Sequence, residues 1–243
     1  MICYNTAYQI KGGVRVEQTD LWRASHRLTA VAGHFGSGKT EFAVNLALSL
    51  AADGLPATLA DLDVVDPYFR SRERADLLEQ AGVQLITTSQ ACMDADVPSL
   101  PPEVMSLFDS GGRYGVLDIG GDPSGARVLA RYRRRLQQSG GRLLCVVNAN
   151  RPLTDTPDKA LDYLEQIRDT AGLPIDGLVN NTHLCHLTQR EDILAGARLA
   201  EEVSRRSGVP VLCHAVPAAL AHGLPGLGAP VFPMELYMKK PWE

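Results

Sequence analysis

Long apolar runs are missing from this 243-residue chain, and none approaches the roughly 18 residues that cross a bilayer. No signal peptide is expected, because Met1-Ile2-Cys3-Tyr4-Asn5 has no basic stretch followed by an apolar one. Cysteine is sparse: Cys3, Cys92, Cys145, Cys185 and Cys213 are odd in number, widely scattered and never spaced C-x-x-C. That pattern excludes a disulfide framework and a zinc knuckle, and it fits the reduced thiols of a cytoplasmic protein. Excess positive charge is also absent. A formal net charge of −4 argues against non-specific nucleic-acid binding and against anionic membrane surfaces. No internal repeat, low-complexity tract or linker divides the chain. A polar leader over 1–27 and a single domain over 28–243 are expected, with 45% hydrophobic and 21% charged residues, as in ordinary soluble proteins.

What is present is concentrated at one place. Residues 33–40 read Gly33, His34, Phe35, Gly36, Ser37, Gly38, Lys39, Thr40, a complete G-x-x-x-x-G-K-[ST] pattern. An apolar, strand-like run (Leu28 to Ala32) precedes it, and a helical pattern from Glu41 to Ala52 follows. Glycines there let backbone N–H groups converge on phosphate oxygens, and the helix N-terminus adds partial positive charge. Lys39 then reaches the outer phosphates of a nucleoside triphosphate, and the Thr40 hydroxyl is placed to ligate Mg²⁺.

Apolar runs alternate with helical patterns beyond this unit. Strands are predicted at Ala57–Ala60, Val83–Thr87, Tyr114–Asp118, Arg142–Asn148, Ile175–Asn180 and Val211–Ala215. Helices are predicted at Arg72–Ala81, Pro101–Phe108, Ser124–Gln138, Pro157–Thr170 and Arg190–Ser207. Glycines after Ala171 and Ser207 mark helix ends. The breaker-rich stretch Leu224 to Pro230 reads as irregular. Continuous apolar strands separated by helices imply an α/β fold: a doubly wound, mostly parallel sheet with helices on both faces.

In such a sheet the C-terminal strand ends open on the rim that carries the phosphate loop. Asp118 closes an apolar strand there and is placed to hold Mg²⁺ through water. Gly121, three residues on, can present a bare backbone N–H to a terminal phosphate. Asp61 and Asp63 end the second predicted strand, and Asp63 is the preferred acid for orienting water. Asn180 and Asn181 end another strand. An asparagine both donates and accepts, as a purine edge requires, and Asn181 is preferred. The run Arg127 to Arg135 reads as a solvated helix face.

With these residues the chain resembles the MinD/ParA/CobQ/CobB nucleotide-binding group of SIMIBI-class P-loop NTPases over about residues 28–217. The landmarks are Gly33–Thr40, Asp61-Leu-Asp63, Asp118-x-x-Gly121 and Gly177-Leu-Val-Asn-Asn181. The resemblance implies ATP with Mg²⁺ as cofactors, Lys39 and Asp63 as catalytic groups, Thr40 and Asp118 at the metal, Asn181 toward adenine, and a homodimer governed by nucleotide. Two departures stand out. His34 occupies a position where many members carry a second lysine, and either the dimer mechanism is absent or another cation, from Arg70, Arg72 or Arg74, replaces it. Ile119 to Ser124 holds no cysteine, against an iron–sulfur reductase. Three functions remain open: a nucleotide-dependent switch or accessory ATPase acting on a client protein, an enzyme that uses ATP to activate a small carboxylate, and an ATP-stabilised scaffold.

Overall fold

Among the described residues eight strands follow in chain order: β1 (Leu28–Gly33), β2 (Ala57–Leu62), β3 (Gln84–Thr87), β4 (Tyr114–Ile119), β5 (Arg142–Val147), β6 (Gly177–Asn180), β7 (Val211–Pro217) and β8 (Val231–Met234). The six helices between them are α1 (Lys39–Ala52), α2 (Ala75–Gln80), α3 (Pro102–Asp109), α4 (Pro123–Gln138), α5 (Pro157–Ala171) and α6 (Arg190–Ser207). The computed structural model describes residues 26–63, 74–87, 102–109, 112–121, 123–224 and 226–238. Most of the leader over 1–27 lies outside these residues. So do Arg70 and Arg72, the rest of the loop after Asp63, and the C-terminal Pro241 to Glu243.

The strands form one sheet of order β3-β2-β4-β1-β5-β6-β7-β8, and every neighbouring pair is parallel. Side chains alternate across each strand. Ala30 and Ala32 of β1 and Leu143 and Cys145 of β5 therefore enter a layer with Leu107, Leu129, Ile167 and Val203 of helices α3 to α6. Val31, Leu144 and Val146 pack the opposite way, against Phe42 and Leu46 of α1 and Leu78 of α2. Both faces are thus covered, which is the doubly wound arrangement that uninterrupted apolar strands predict. Phe42 is fully buried, its ring edge-on to Phe232 at 5.5 Å. Truncating such a ring costs about 3–5 kcal/mol.

The helix ends match the punctuation of the sequence, with α5 and α6 stopping at left-handed Gly172 and Gly208. Strand β8 departs from expectation. Its four residues, Val-Phe-Pro-Met, contain Pro233, which removes a ladder donor. The position is tolerated because β8 is the sheet edge and pairs on one side, with β7. β6 starts at Gly177 rather than Ile175, since the Asp176 carboxylate instead accepts from the Leu143 N–H at 2.7 Å.

The sheet order places β1 between β4 and β5, while the chain leaves β1 for β2 on one side and later returns to β5 on the other. That reversal opens a crevice beyond the C-terminal end of β1.

Candidate functional site

The loop that fills this crevice is built from backbone. Ser37 N–H donates to the His34 carbonyl at 2.8 Å, closing the turn, and Phe42 N–H donates to the Gly38 carbonyl at 2.9 Å as α1 begins. Gly36 and Gly38 have φ of 74° and 84°, the left-handed region where a side chain is strained. A Cβ on Gly38 would also collide with the Asn181 amide. The result is a concave strip of N–H groups at a helix N-terminus, an arrangement suited to an anion.

Charged side chains converge beside it. Lys39 Nζ lies 2.8 Å from Asp63 Oδ2, with the two residues only 4% and 3% exposed. Asp63 N–H donates to Asp61 Oδ1 at 3.2 Å, so the two acids at the end of β2 are fixed relative to each other. The β2–β4 register sets Asp61 directly across from Asp118. Asp118 is buried, and its two carboxylate oxygens receive no hydrogen bond of good geometry, the Thr40 hydroxyl being the donor beside them. Burial above all pushes its pKa up to about 7; Asp61 and Asp63 add to the rise, while Lys39 and the neighbouring Thr40 hydroxyl oppose it. Asp118, Lys39, Thr40, Asp61 and Asp63 thus form one electrostatic cluster at the head of α1.

Gly121 closes the cluster from the β4 side. A Cβ on it would sit 2.8 Å from Phe35 N and 2.9 Å from the Gly33 carbonyl, so its backbone lies flat on the loop. Its carbonyl accepts from the Tyr163 hydroxyl of α5 at 3.2 Å, and the Tyr163 ring meets His34 edge-on at 5.7 Å. The β4 turn, the loop and α5 are therefore in mutual contact. His34 Nδ1 contacts the Phe35 carbonyl at 2.8 Å. Phe35 itself is 54% exposed at the rim.

Asn180 and Asn181 have divided roles. Asn180 Oδ1 accepts from Thr182 N–H at 3.2 Å and from the Thr182 hydroxyl at 2.7 Å, and its amide donates to His214 Nδ1 at 3.0 Å. His214 is buried and passes its other ring N–H to the Leu227 carbonyl at 2.8 Å. Asn180 is thus a structural joint. Asn181 Nδ2 donates to the Ser37 carbonyl at 2.9 Å, tying β6 to the phosphate loop, while its Oδ1 is buried and without a partner.

Sequence reasoning had not assigned His183 to the nucleotide site. Its Nδ1 accepts from Cys185 N–H at 3.0 Å, which leaves the proton on Nε2. Burial, and secondarily the charge of Arg151, lowers its pKa to about 4, so the ring is neutral. Nε2 is buried, has no partner, and lies 3.3 Å from where a Cβ of Gly38 would stand. The signal in the sequence was a histidine two residues after the strand-end asparagine. Arg127, Arg131, Arg133, Arg134 and Arg135 are exposed along α4, away from this cluster. Among the described residues no helix is long and apolar enough to cross a membrane.

No family model matches this chain, and no curated protein matches it. Solved structures do. FtsY from Thermotoga maritima superposes with a TM-score of 0.56 at 19% identity, over 78% of this chain and 61% of that one. Chloroplast FtsY from Physcomitrella patens gives 0.52 at 14% identity, over 76% and 56%. The signal recognition particle 54 kDa protein from Aeropyrum pernix, in complex with GDP, gives 0.50 at 19% identity, over 78% and 41%. The chain therefore spans roughly half the length of these structures. This chain shares their fold. At such identities the likeness speaks for fold alone and does not decide the branch to which the chain belongs.

Proposed function

We propose that the chain is a Mg·ATP-dependent switch whose loops around the phosphate site are read by a client protein or by a second copy of itself. The observation that carries this reading is the buried cluster at the head of α1, where the two buried oxygens of Asp118 receive no well-formed hydrogen bond and only Lys39 and the Thr40 hydroxyl offset their charge. A buried acceptor left unsatisfied is destabilising by about 1–3 kcal/mol, which is offset if a cation sits there. Magnesium accepts one or two protein oxygens and completes its shell with water and phosphate. Thr40 and Asp118 fit that role, and the glycine cradle fits the triphosphate.

Lys39 would bind phosphate oxygens, in exchange for its contact with Asp63. Asp63, released from that pair and braced on Asp61, would hold a water and take up its proton. The bound ion supplies charge neutralisation across the phosphates. Gly121 senses the same space through its backbone, and its link to Tyr163 carries a change there to α5. Phe35, Leu153, Leu184 and Leu187 are exposed apolar residues on loops of this rim, the last at 64%, and they suit a partner surface.

Hydrogen-bond chemistry supports adenine over guanine in this reading. The base end of the site offers one free acceptor, Asn181 Oδ1, and one free donor, His183 Nε2–H, which match the amino group and N1 of adenine. Guanine presents two adjacent donors on that edge and calls for a carboxylate, and the stretch Asn180 to Leu184 contains none. Competition of labelled ATP by unlabelled ATP and GTP tests this, with ATP expected to compete at least about tenfold better. Equal competition would discard the adenine assignment. Sedimentation with ATP and with ADP tests the switch: an assembly state or client affinity indifferent to the γ-phosphate would remove it.

A further inference from the structure

Arg151, in the turn after β5, reaches across to the phosphate loop, and its Nε donates to the Gly36 carbonyl at 2.7 Å. A Cβ on Gly36 would lie 3.3 Å from Nε and 3.4 Å from Cζ, so the guanidinium rests on the outer face of the loop where glycine leaves room. Among the described residues no carboxylate forms an ion pair with Arg151. The two cations of the site therefore differ. Lys39 is paired with Asp63 from within, whereas Arg151 is held in place by one N–H to a backbone carbonyl, with two amino groups uncommitted.

The position along the loop also matters. Asn181 and His183 meet the loop at Gly38, the end assigned above to the base. Arg151 meets it at Gly36, two residues nearer the strand, and so lies over the same phosphate loop. A planar fork fixed at one nitrogen is pre-organised for phosphate oxygens. It also sets a guanidinium at the edge of a loop that carries histidine rather than lysine at position 34.

We propose that Arg151 is a second phosphate-contacting cation, folded back in cis over Gly36, that grips the terminal phosphate of a bound nucleoside triphosphate. This rests on reading residues 33–40 as a triphosphate site. It predicts that the residue discriminates triphosphate from diphosphate and acts without a partner chain.

The test is calorimetric titration of the wild type, Arg151→Ala, Arg151→Gln and Arg151→Lys with Mg·ATP and with Mg·ADP, each variant first checked by its melting curve. Arg151→Ala and Arg151→Gln are expected to lose about 10–100-fold in ATP affinity, as for a charged hydrogen bond, while ADP affinity moves less than about threefold. Arg151→Lys keeps the charge without the fork and should recover part of the ATP affinity. Glutamine retains a donor for the Gly36 carbonyl, so wild-type ATP affinity in Arg151→Gln would show a mere loop tether and overturn the proposal. Equal losses for ATP and ADP, or none, would overturn it as well while leaving the nucleotide site standing. A wild type that binds neither nucleotide takes down the site and this inference together.

Discussion

Glu41 and Asp118 are both buried carboxylates beside helix α1, and the fold treats them in opposite ways. Glu41 accepts from Tyr237 N–H at 2.7 Å and from Met238 N–H at 3.1 Å. One turn on, Asn45 exchanges two hydrogen bonds of 2.9 Å with the backbone of Glu235. These contacts fasten residues 235–238 along α1. Burial still raises the Glu41 pKa, but the backbone donors and the charge of Arg74 pull it back. Asp118 receives no such donors and sits across from another acid. Buried polar groups in a folded protein are satisfied as a rule. The satisfied region is architecture, and the unsatisfied one, with Asn181 Oδ1 and His183 Nε2 at its other end, is where the proposed nucleotide would sit.

The sharpest way to break this contrast is at Lys39. Lys39→Ala should reduce triphosphate affinity at least about 100-fold, and it should also lower stability by about 3–5 kcal/mol because the buried Asp63 carboxylate loses its ion pair. Adding Asp63→Ala should restore most of the melting temperature and none of the binding. A double variant that binds like the wild type would place the phosphates elsewhere.

Asp118 gives the next largest effect, with a defined sign. Its folded pKa, about 7, lies above the ordinary 3.8. Its contribution to the stability of the unliganded protein is therefore complete below about pH 4 and lost as pH rises through about 7. Asp118→Asn should raise the unliganded melting temperature at pH 8 and flatten that decline. It should also abolish the part of ATP binding that depends on Mg²⁺, which in the wild type should weaken as pH falls below about 7. Melting curves from pH 5 to 8, with and without Mg·ATP, check both halves; a variant less stable than the wild type at pH 8 would contradict the account.

The smallest effect belongs to the architectural side. Asn45→Ala should cost about 1–3 kcal/mol of stability, lowering the melting temperature by several degrees in a domain of this size, while leaving ATP affinity within about twofold. A large loss of affinity there would blur the distinction between the two regions.

Much of the site was legible because its parts are local. The loop over 33–40 is one continuous stretch, and Asp118 ends an apolar run. The strands, continuous and apolar, announced a sheet covered on both faces. What escaped depended on neighbours brought together by strand order. Arg151 lies 115 residues from Gly36 and reaches it because β5 flanks β1. Asn45 and Glu235 are 190 residues apart. The Asp61–Asp118 pairing follows from β4 lying between β1 and β2, which no local pattern encodes. β8 was hidden by its proline, and Asn180 looked like its neighbour until the His214 contact separated their roles.

The most direct test of the central claim, that the unsatisfied groups around the phosphate loop hold a magnesium nucleotide, is calorimetric titration of the wild-type protein with ATP in the presence and absence of Mg²⁺ at pH 8. One site per chain is predicted, with affinity that drops at least about tenfold when Mg²⁺ is withheld. No heat of binding in either condition, with an unshifted melting curve, would contradict it.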